Sequence, residues 1–493
     1  MAFTPRYYQI GAVDALFNYW MSSTTAGNPL IDLATGAGKS PVMGMIIQDL
    51  IVGWPKLRIM VVTHVRELIE QNYQELKDMW PAAPAGIFSA SVGRREHRSQ
   101  IIFAGIQTVY NKADLICGAR IVGDDKVYDK PIDVVLIDEC HMIPPDSETQ
   151  YGKFFAALRE ANPELKIVGL TATPYRLDFG RLDEGEDRMF DEIVYTYSIA
   201  QGVEDGYLTP LTSKPTETEY GDDMFKGVRK GKDGDLSPGG AAKAVAKADH
   251  LIDKIVDEII RKGSDRRSWM LFCSGIEHAD KVRDAIRRRG ISCETISGDM
   301  DKTERKRILE SYKRYEIRCL TNNGVLTTGF NHPGVDLIGF LRKTLSLSLY
   351  LQMAGRGTRV IWPAGFNPHD PSHTAEDRRA AIARGPKPNC LVLDFARLVD
   401  EHGPVDMVKP KGPPGSGNGE APTKVCPLDR LDHPREDPER MPKYGCNEKV
   451  HASARKCKSC GFEFLIREGP DLDETAADIP VMGKNTAADW RPV

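Results

Sequence analysis

Apolar and polar positions follow two alternating patterns along the chain. Short apolar runs rich in β-branched residues predict buried strands at residues 58–64, 99–107, 132–139 and 166–173. Between them, apolar residues recur every three or four positions, which predicts helices at residues 66–80 and 149–161. Strands that alternate with helices predict parallel strands joined by crossovers, and therefore an α/β sheet covered on both faces.

A second series of strands and helices follows, and the two series divide the chain into domains. The predicted strands of this series lie at residues 268–274, 293–298, 317–322, 335–342 and 389–396. Residues 213–247, between the series, are rich in Gly, Asp and Lys and predict a partly mobile interdomain connection. We therefore expect two tandem α/β domains, at residues 1–212 and 248–402.

The C-terminal part differs in composition from both domains. Residues 403–424 are rich in Pro and Gly and predict a linker. Residues 425–467 contain four of the ten cysteines of the chain and predict a small module. Residues 468–493 are predominantly polar and predict a disordered tail.

The overall composition is that of a soluble globular protein. The chain has 493 residues, of which 41% are hydrophobic and 28% charged, and its length suits about three domains. It has no apolar run long enough to span a membrane and no secretory signal pattern, so we expect a cytoplasmic protein. The formal net charge of −4 disfavours a protein that coats nucleic acid, but it allows local basic clefts.

The sequence LATGAGKS, at residues 33–40, joins an apolar run to a helical pattern. In a Gly-rich turn at such a junction, backbone N–H groups and the helix N-terminus form a cradle for phosphate oxygens. The predicted cradle residues are Thr35, Gly36, Ala37, Gly38, Lys39 and Ser40. Lys39 would reach the β- and γ-phosphates, and the Ser40 hydroxyl would hold Mg²⁺. Leu33 stands where the P-loop pattern has its first glycine, so the match is incomplete.

The predicted strand at residues 132–139 ends in two acids, which a cysteine and a histidine follow. A P-loop enzyme needs a carboxylate at the end of a neighbouring strand to hold Mg²⁺ and to position water. We predict that Asp138 holds the ion and that Glu139 orients or deprotonates the attacking water. Cys140 is predicted to be a packed residue. For His141, the sequence is compatible with a metal ligand or with a structural residue.

Four sequence blocks resemble, in their order, the motifs of superfamily 2 helicases, the class with DEAD- and DEAH-like boxes. They are GAGKS at 36–40, DECH at 138–141, TAT at 171–173 and QMAGRGTR at 352–359. The resemblance runs from residue 1 to about residue 400. It is nearest to bacterial RadD-type DNA helicases and related phage helicases, with the UvsW group nearby. It implies an α/β fold of two tandem RecA-like parallel-sheet domains that bind ATP between them.

The resemblance also implies roles for residues around the nucleotide. Gln9 would read adenine with the support of Arg6, and Gln352 would sense the γ-phosphate or the attacking water. Arg356 and Arg359 would stabilise charge at the γ-phosphate, and they share one face if their segment is helical.

Further motifs are implied to connect ATP hydrolysis with movement. His141 would link the ATP site to Thr171, Thr173 and the second domain. Gly329 would contact the nucleotide, whereas Asn331 stands where relatives carry an acid and keeps hydrogen bonding without the charge. The implied contacts to nucleic acid are His64, Arg66, Gln107, Thr108, Ser274, Thr321 and Asn322.

The C-terminal cysteines predict a zinc ribbon, completing the expected fold. Cys457 and Cys460 form a CxxC pair, with Cys446 and Cys426 upstream as the remaining thiolate ligands of a structural zinc. A histidine ligand, His451 or His433, is the alternative. A redox CxxC is disfavoured, since it requires a βα context that is missing here.

Together these features predict an enzyme that uses ATP and Mg²⁺ to move on DNA or to remodel it, in repair, recombination or replication. Its contacts would lie mainly on the nucleic-acid backbone, so sequence preference should be weak. A protein partner could bind the C-terminal module. The alternatives are an RNA-dependent ATPase or RNA helicase and a nucleic-acid-binding scaffold with an inactive ATPase core.

Overall fold

The structure is a computed structural model, and the residues that it describes form two compact units. The described residues are 3–22, 27–143, 149–176, 180–185, 188–231, 234–326, 329–408, 423–425, 449–451 and 481–482. The first unit comprises residues 1–411 and 476–493, and the second comprises residues 412–475. The first unit contains two α/β lobes. In the second unit, strands Thr423–Val425 and Lys449–His451 pair antiparallel.

The first lobe is built on one large sheet with helices on both sides. Its strands are β1 (Pro29–Leu33), β2 (Ile59–Thr63), β3 (Ala85–Ser89), β4 (Arg94–Arg95), β5 (Ile101–Gly105), β6 (Ala119–Val122), β7 (Asp125–Tyr128), β8 (Val134–Asp138), β9 (Lys166–Thr171), β10 (Tyr175–Arg176), β11 (Gly180–Arg181) and β12 (Glu192–Tyr197). Its helices are α1 (Tyr7–Ser22), α2 (Lys39–Gly53), α3 (Arg66–Met79), α4 (Ile106–Val109), α5 (Ala113–Cys117), α6 (Gln150–Ala161) and α7 (Ile199–Glu204). The four strands and two helices predicted here are confirmed.

The large sheet has eight strands in the order β12-β1-β9-β8-β2-β5-β3-β4. All its pairs are parallel except β3 with β4, at one edge. Side chains of β8 alternate between two apolar clusters, with Leu136 in one and Ile137 in the other, so both faces are covered as predicted. Because parallel strands end at the same edge, the segments after β1, β2, β8 and β9 meet there.

The second lobe repeats this architecture on a smaller sheet. Its strands are β13 (Leu211–Ser213), β14 (Trp269–Cys273), β15 (Cys293–Ile296), β16 (Cys319–Asn322), β17 (Leu337–Leu341) and β18 (Cys390–Asp394). Its helices are α8 (Pro238–Ala246), α9 (Asp249–Lys262), α10 (Ile276–Arg288), α11 (Lys302–Lys313), α12 (Leu347–Ala354), α13 (Ala375–Arg384) and α14 (Leu398–His402). All six strands are parallel, in the order β13-β18-β17-β14-β16-β15. The five strands predicted in this series are confirmed.

The segment 213–247 differs from the prediction of a mobile connection. Its described residues include helix α8, and Tyr220, Phe225 and Val245 are buried in the apolar core of the second lobe. Strand β13, just before most of the segment, pairs with β18 and joins the second sheet. The described part of the segment thus packs on the second lobe, whereas its mobility stays a prediction. The sequence did not show this packing, because these few apolar residues, widely spaced among Gly, Asp and Lys, follow no detectable period.

Most of the predicted C-terminal features lie outside the described residues. These include Cys426, Cys446, Cys457, Cys460 and His433, and the greater part of the ranges 403–424, 425–467 and 468–493. His451 belongs to a described strand, but its side chain is not described. Within the described parts of the chain, no helix is both long enough and apolar enough to cross a bilayer.

Candidate functional site

The loop between β1 and α2 has the geometry of a phosphate cradle. Gly36 and Gly38 both have φ of 90°, in the left-handed region that side chains disfavour. A Cβ atom on Gly38 would lie 2.6 Å from Nε2 of Gln9, and one on Gly36 would lie 3.2 Å from Oγ1 of Thr358. The loop therefore requires glycine at both positions, for conformation and for space.

Gln9 of helix α1 contacts Ala37, a residue of this loop. The Gln9 amide donates from Nε2 to the Ala37 carbonyl at 3.2 Å, and its Oε1 accepts from the Arg6 backbone N–H at 2.9 Å. The Tyr8 hydroxyl donates to the same Ala37 carbonyl at 2.8 Å. The Gln9 amide can make further hydrogen bonds besides these two. The contact with adenine that the resemblance implies for Gln9 is therefore compatible with this geometry and stays a prediction.

Lys39 and Glu139 form an ion pair at the centre of the site. The distance from Nζ to Oε1 is 3.0 Å, and the two side chains are only 12% and 11% exposed. Although burial alone would raise it, the pKa of Glu139 is lowered, because the Lys39 ammonium lies beside the carboxylate. The lysine predicted to bind phosphate is thus held by the acid predicted to act on water.

Asp138 is oriented by hydrogen bonds to both of its oxygens. The Asn72 amide donates from Nδ2 to Oδ2 at 2.7 Å, and the Glu139 backbone N–H donates to Oδ1 at 3.0 Å. The Ser40 hydroxyl donates to Oδ1 of Asn72 at 2.9 Å. Burial, and then the neighbouring Glu139 carboxylate, raise the pKa of Asp138. The Ser40 hydroxyl and this carboxylate are the hard oxygen donors that suit Mg²⁺, so these residues fit the ion.

Asn72 is a site residue that the sequence analysis missed. The buried residues of α3 are Leu68, Ile69, Asn72 and Leu76, so an amide interrupts an otherwise apolar stripe. A buried polar group needs hydrogen-bond partners, so an asparagine in such a stripe signals a polar site beneath the helix. This signal could have identified it.

His141 joins three functional motifs. Its Nδ1 lies 2.8 Å from Oγ1 of Thr171, and its Nε2 lies 2.9 Å from Nε2 of Gln352 in the second lobe. The Gln352 amide donates to Nε2 in this arrangement, so Nδ1 carries the proton and donates to Thr171. Burial lowers the pKa of His141 to about 4, so the ring is neutral at pH 7. His141 thus contacts both the TAT motif and the second lobe, and its role in coupling them stays a prediction.

Thr171 and Thr173 are both buried beside this link. The Thr171 hydroxyl accepts a hydrogen bond from the Thr173 backbone N–H at 3.0 Å. Cys140 is fully buried with a free thiol, as predicted. Among the described residues, no cluster of three or more His, Cys, Asp or Glu side chains could hold a metal ion.

Arg356 and Arg359 lie beyond the end of helix α12, so the shared face expected for a helical segment does not apply to them. Helix α12 ends at Ala354, before either arginine. A Cβ atom on Gly355 would lie 2.5 Å from the Cβ atom of Thr35, so the lobes touch there. The two arginines nevertheless converge, since each donates from Nη1 to the Phe330 carbonyl, at 2.5 and 3.0 Å.

These groups surround one cavity between the lobes, of about 430 Å³. It is lined by the predicted site residues Arg6, Thr35, Gly36, Gly38, Lys39, Ser40, Asp138, Glu139, Gly329, Asn331, Arg356 and Arg359. Gly329 has φ of 70°, and its environment favours glycine, since a Cβ atom would lie 3.0 Å from that of Glu67. The predicted site residues Gln9, Ala37 and Gln352 do not line this cavity.

Tyr207 also lines the cavity and was missed by the sequence analysis. Two guanidinium groups lie over its ring, with Arg6 4.8 Å and Arg378 4.3 Å from the ring centroid. Tyr207 follows α7 in a stretch without a periodic pattern. No local signal marks it, because its role depends on packing between segments distant in sequence.

The predicted nucleic-acid contacts divide into accessible and buried side chains. His64 and Gln107 are exposed, and Arg66 is partly exposed, at the end of β2 and the starts of α4 and α3. Gln107 donates from Nε2 to the His64 carbonyl at 3.3 Å, which holds the two segments together. These three side chains remain candidates for contact with a bound strand.

The other four predicted contacts are buried, and their side chains bond within the fold. Thr108 accepts from the Ala90 backbone, Ser274 donates to the Leu341 carbonyl, Thr321 bonds to Thr295, and Asn322 donates to the Leu271 carbonyl. Contact with nucleic acid therefore stays a prediction for these four residues. Polar residues near strand ends can hydrogen-bond to the sheet as readily as to a ligand.

Family models match both lobes. Residues 2–176 match the model described as type III restriction enzyme, res subunit. Residues 248–360 match the helicase conserved C-terminal domain.

Two curated relatives each cover 72% of this chain. A Saccharomyces cerevisiae protein named as the ATP-dependent helicase IRC3 is 26% identical over 362 residues, which are 49% of that protein. The type I restriction enzyme EcoAI endonuclease subunit of Escherichia coli is 22% identical over 384 residues, or 44% of its length. The chain thus spans about half the length of these relatives.

A solved structure shares the fold. It is a fragment named as an HsdR subunit of a type I restriction enzyme from Vibrio vulnificus YJ016, with a TM-score of 0.55 and 21% identity. The alignment covers 81% of this chain and 65% of that one.

With motifs, topology and family models in agreement, this chain belongs to the superfamily 2 helicases, a family of ATP-hydrolysing enzymes with two RecA-like domains.

Proposed function

We propose that this chain hydrolyses ATP with Mg²⁺ in the cavity between its lobes and uses the cycle to move on DNA or to remodel it. The observation that carries the proposal is the convergence of Lys39 and Glu139 from the first lobe with Arg356 and Arg359 from the second. Phosphoryl transfer needs charge stabilisation from several sides at once, and this cavity supplies it.

The ion pair between Lys39 and Glu139 implies that ATP binds before Glu139 becomes free to act on water. Lys39 must leave Glu139 to bind phosphate oxygens, and this exchange frees the Glu139 carboxylate to accept a proton from water. Asp138 and Ser40 would hold Mg²⁺, and the arginines would bind the charge that develops on the transferred group. Bound Mg·ATP supplies the phosphoanhydride bond that is broken.

Lys39→Ala, compared with wild type, tests the ATP site. We expect ATP hydrolysis to fall about 10²-fold or more, because an ammonium at the phosphates is lost from a largely buried site. Hydrolysis would be measured with single-stranded, duplex, forked and four-way-junction DNA and with RNA. Unchanged stimulated hydrolysis in Lys39→Ala would contradict this site and favour the scaffold alternative. Stimulation by RNA alone would favour the RNA helicase alternative.

The link through His141 is proposed to couple the lobes. His141→Ala and Gln352→Ala remove opposite ends of one hydrogen bond, so their effects on nucleic-acid-stimulated hydrolysis should be non-additive. We expect each variant to lose about tenfold in stimulated rate, and the double variant little more. A control pair is His97→Ala with Gln352→Ala, which should combine additively, since the half-buried His97 ring contacts Arg95 and Phe88 and not His141 or Gln352. Additive effects of His141 and Gln352 would contradict the coupling.

The finer features of the proposal rest on the sequence. Motif resemblance favours the RadD-type and related phage helicases, and a role in repair, recombination or replication, among superfamily 2 members. The proposed contacts to the nucleic-acid backbone are His64, Arg66 and Gln107, since their side chains are at least partly accessible.

We further propose that a structural zinc, supporting a partner-binding module, is held by Cys426, Cys446, Cys457 and Cys460. Measuring the zinc content of the purified chain tests this proposal.

A further inference from the structure

Asn72 connects the two residues that would hold Mg²⁺. The side chain is 3% exposed and belongs to the buried face of α3. Its Oδ1 accepts a hydrogen bond from the Ser40 hydroxyl at 2.9 Å, and its Nδ2 donates to Oδ2 of Asp138 at 2.7 Å. The amide oxygen and the amide nitrogen of Asn72 therefore each hydrogen-bond to one of the two residues that would hold the ion.

The direction of these bonds matters for the ion. A serine hydroxyl coordinates a cation through an oxygen lone pair, so its proton must point to another acceptor. Oδ1 of Asn72 is that acceptor, and the Ser40 lone pairs are left for the ion. Nδ2 of Asn72, with the Glu139 backbone N–H, fixes the plane of the Asp138 carboxylate while each oxygen keeps a lone pair.

We propose that Asn72 is a positioning residue of the Mg²⁺ site, orienting Ser40 and Asp138 together for the ion. The inference rests on the proposed ATPase function and deepens it. Groups that hydrogen-bond to metal ligands fix the geometry of those ligands, and their loss typically lowers metal affinity about 10- to 100-fold.

Helix α3 connects Asn72 with a proposed nucleic-acid contact and with the second lobe. The helix begins at Arg66, a proposed nucleic-acid contact, and Asn72 lies about 9 Å further along its axis. Between them, Glu67 pairs with Arg305 of the second lobe at 3.4 Å. A displacement of α3 by nucleic acid or by the second lobe would therefore move the amide that orients Ser40 and Asp138.

Asn72→Leu tests the inference with little change in side-chain volume. We would measure the affinity for a fluorescent ADP analogue against Mg²⁺ concentration, and again in EDTA. We expect affinity in EDTA to stay within about twofold of wild type, and the Mg²⁺ concentration for half-maximal effect to rise about tenfold. Asn72→Ala should give a smaller rise, since a water can bridge Ser40 and Asp138 in the space left.

Asn162→Leu is the matched control. Asn162 lies at the end of α6, and its amide donates to the Asp133 carboxylate at 3.2 Å, away from the cavity. This variant should lose a comparable hydrogen bond without changing the Mg²⁺ dependence. Melting temperatures of all variants report folding, and Asn72→Ala carries the test if Asn72→Leu fails to fold.

Two results would overturn the inference. One is wild-type Mg²⁺ dependence in folded Asn72→Leu. The other is an equal loss of affinity with and without Mg²⁺, which would make Asn72 a support of the phosphate loop only. Failure of the proposed function looks different, because wild type would then bind the ADP analogue no better than Lys39→Ala does.

Discussion

Glu139→Gln is expected to lower the maximal rate of ATP hydrolysis about 10²- to 10⁴-fold, the usual contribution of a general base. Glutamine keeps the shape of the side chain but cannot take a proton from water. ATP binding should be unchanged or tighter, because the Lys39 ammonium no longer has to leave a carboxylate 3.0 Å away. A variant that binds better and turns over far more slowly would separate the two functions of this ion pair.

Glu160→Gln is the matched control for this variant. Glu160 lies on α6 outside the cavity, and its carboxylate accepts a hydrogen bond from the Tyr128 hydroxyl at 2.9 Å. Nucleotide affinity and single-turnover hydrolysis should both stay near wild type in Glu160→Gln. Substantial hydrolysis by Glu139→Gln, or weakened binding like that expected for Lys39→Ala, would contradict the role given to Glu139.

Arg356→Ala is expected to lower the turnover number about 10³- to 10⁵-fold, as for arginines that stabilise phosphoryl transfer in other NTPases. The Michaelis constant for ATP should change little, because the charge that Arg356 stabilises develops mainly in the transition state. Arg359→Ala should show a smaller loss, since Arg359 is less buried than Arg356. Steady-state kinetics at saturating nucleic acid measures both effects.

The stability of these variants gives a second check. Burial lowers the pKa of both guanidinium groups, that of Arg359 to about 10, so the fold holds two like charges against a desolvation cost. Removing one of them should leave the melting temperature at or above that of wild type. Arg314→Ala, on the surface beside Glu316, is the control and should leave turnover unchanged. A large loss of stability in Arg356→Ala would mean that its lower turnover comes from a disturbed fold and not from lost charge stabilisation.

Much of the site could be predicted because its motifs are local. The phosphate loop, Asp138 and Glu139 lie at strand ends, and the strands were visible as apolar runs. Asn72 and Tyr207 escaped because their roles arise from contacts between distant segments. The periodic pattern of α3 placed Asn72 correctly on a helix, but it did not show what lay beneath.

Two motif-based expectations show why local sequence was not sufficient. Thr321 and Asn322 are implied as nucleic-acid contacts by the resemblance, and their side chains bond within the sheet. Arg356 and Arg359 would share one face if their segment were helical, whereas α12 ends at Ala354 and both side chains meet at the Phe330 carbonyl. In each case the local sequence is compatible with both arrangements, and tertiary packing decides between them.

Strand β13 has a consequence for dividing this protein into fragments. It forms the edge of the second sheet, where its partner β18 would otherwise have an open side. A fragment that starts at residue 248, where the helicase C-terminal match begins, would lack β13, Tyr220 and Val245. Its unpaired strand would offer free N–H and C=O groups to neighbouring molecules, which favours aggregation. A fragment that starts before Leu211 would keep β13 paired with β18, so that only this three-residue strand forms the edge, and it should stay monomeric far more readily.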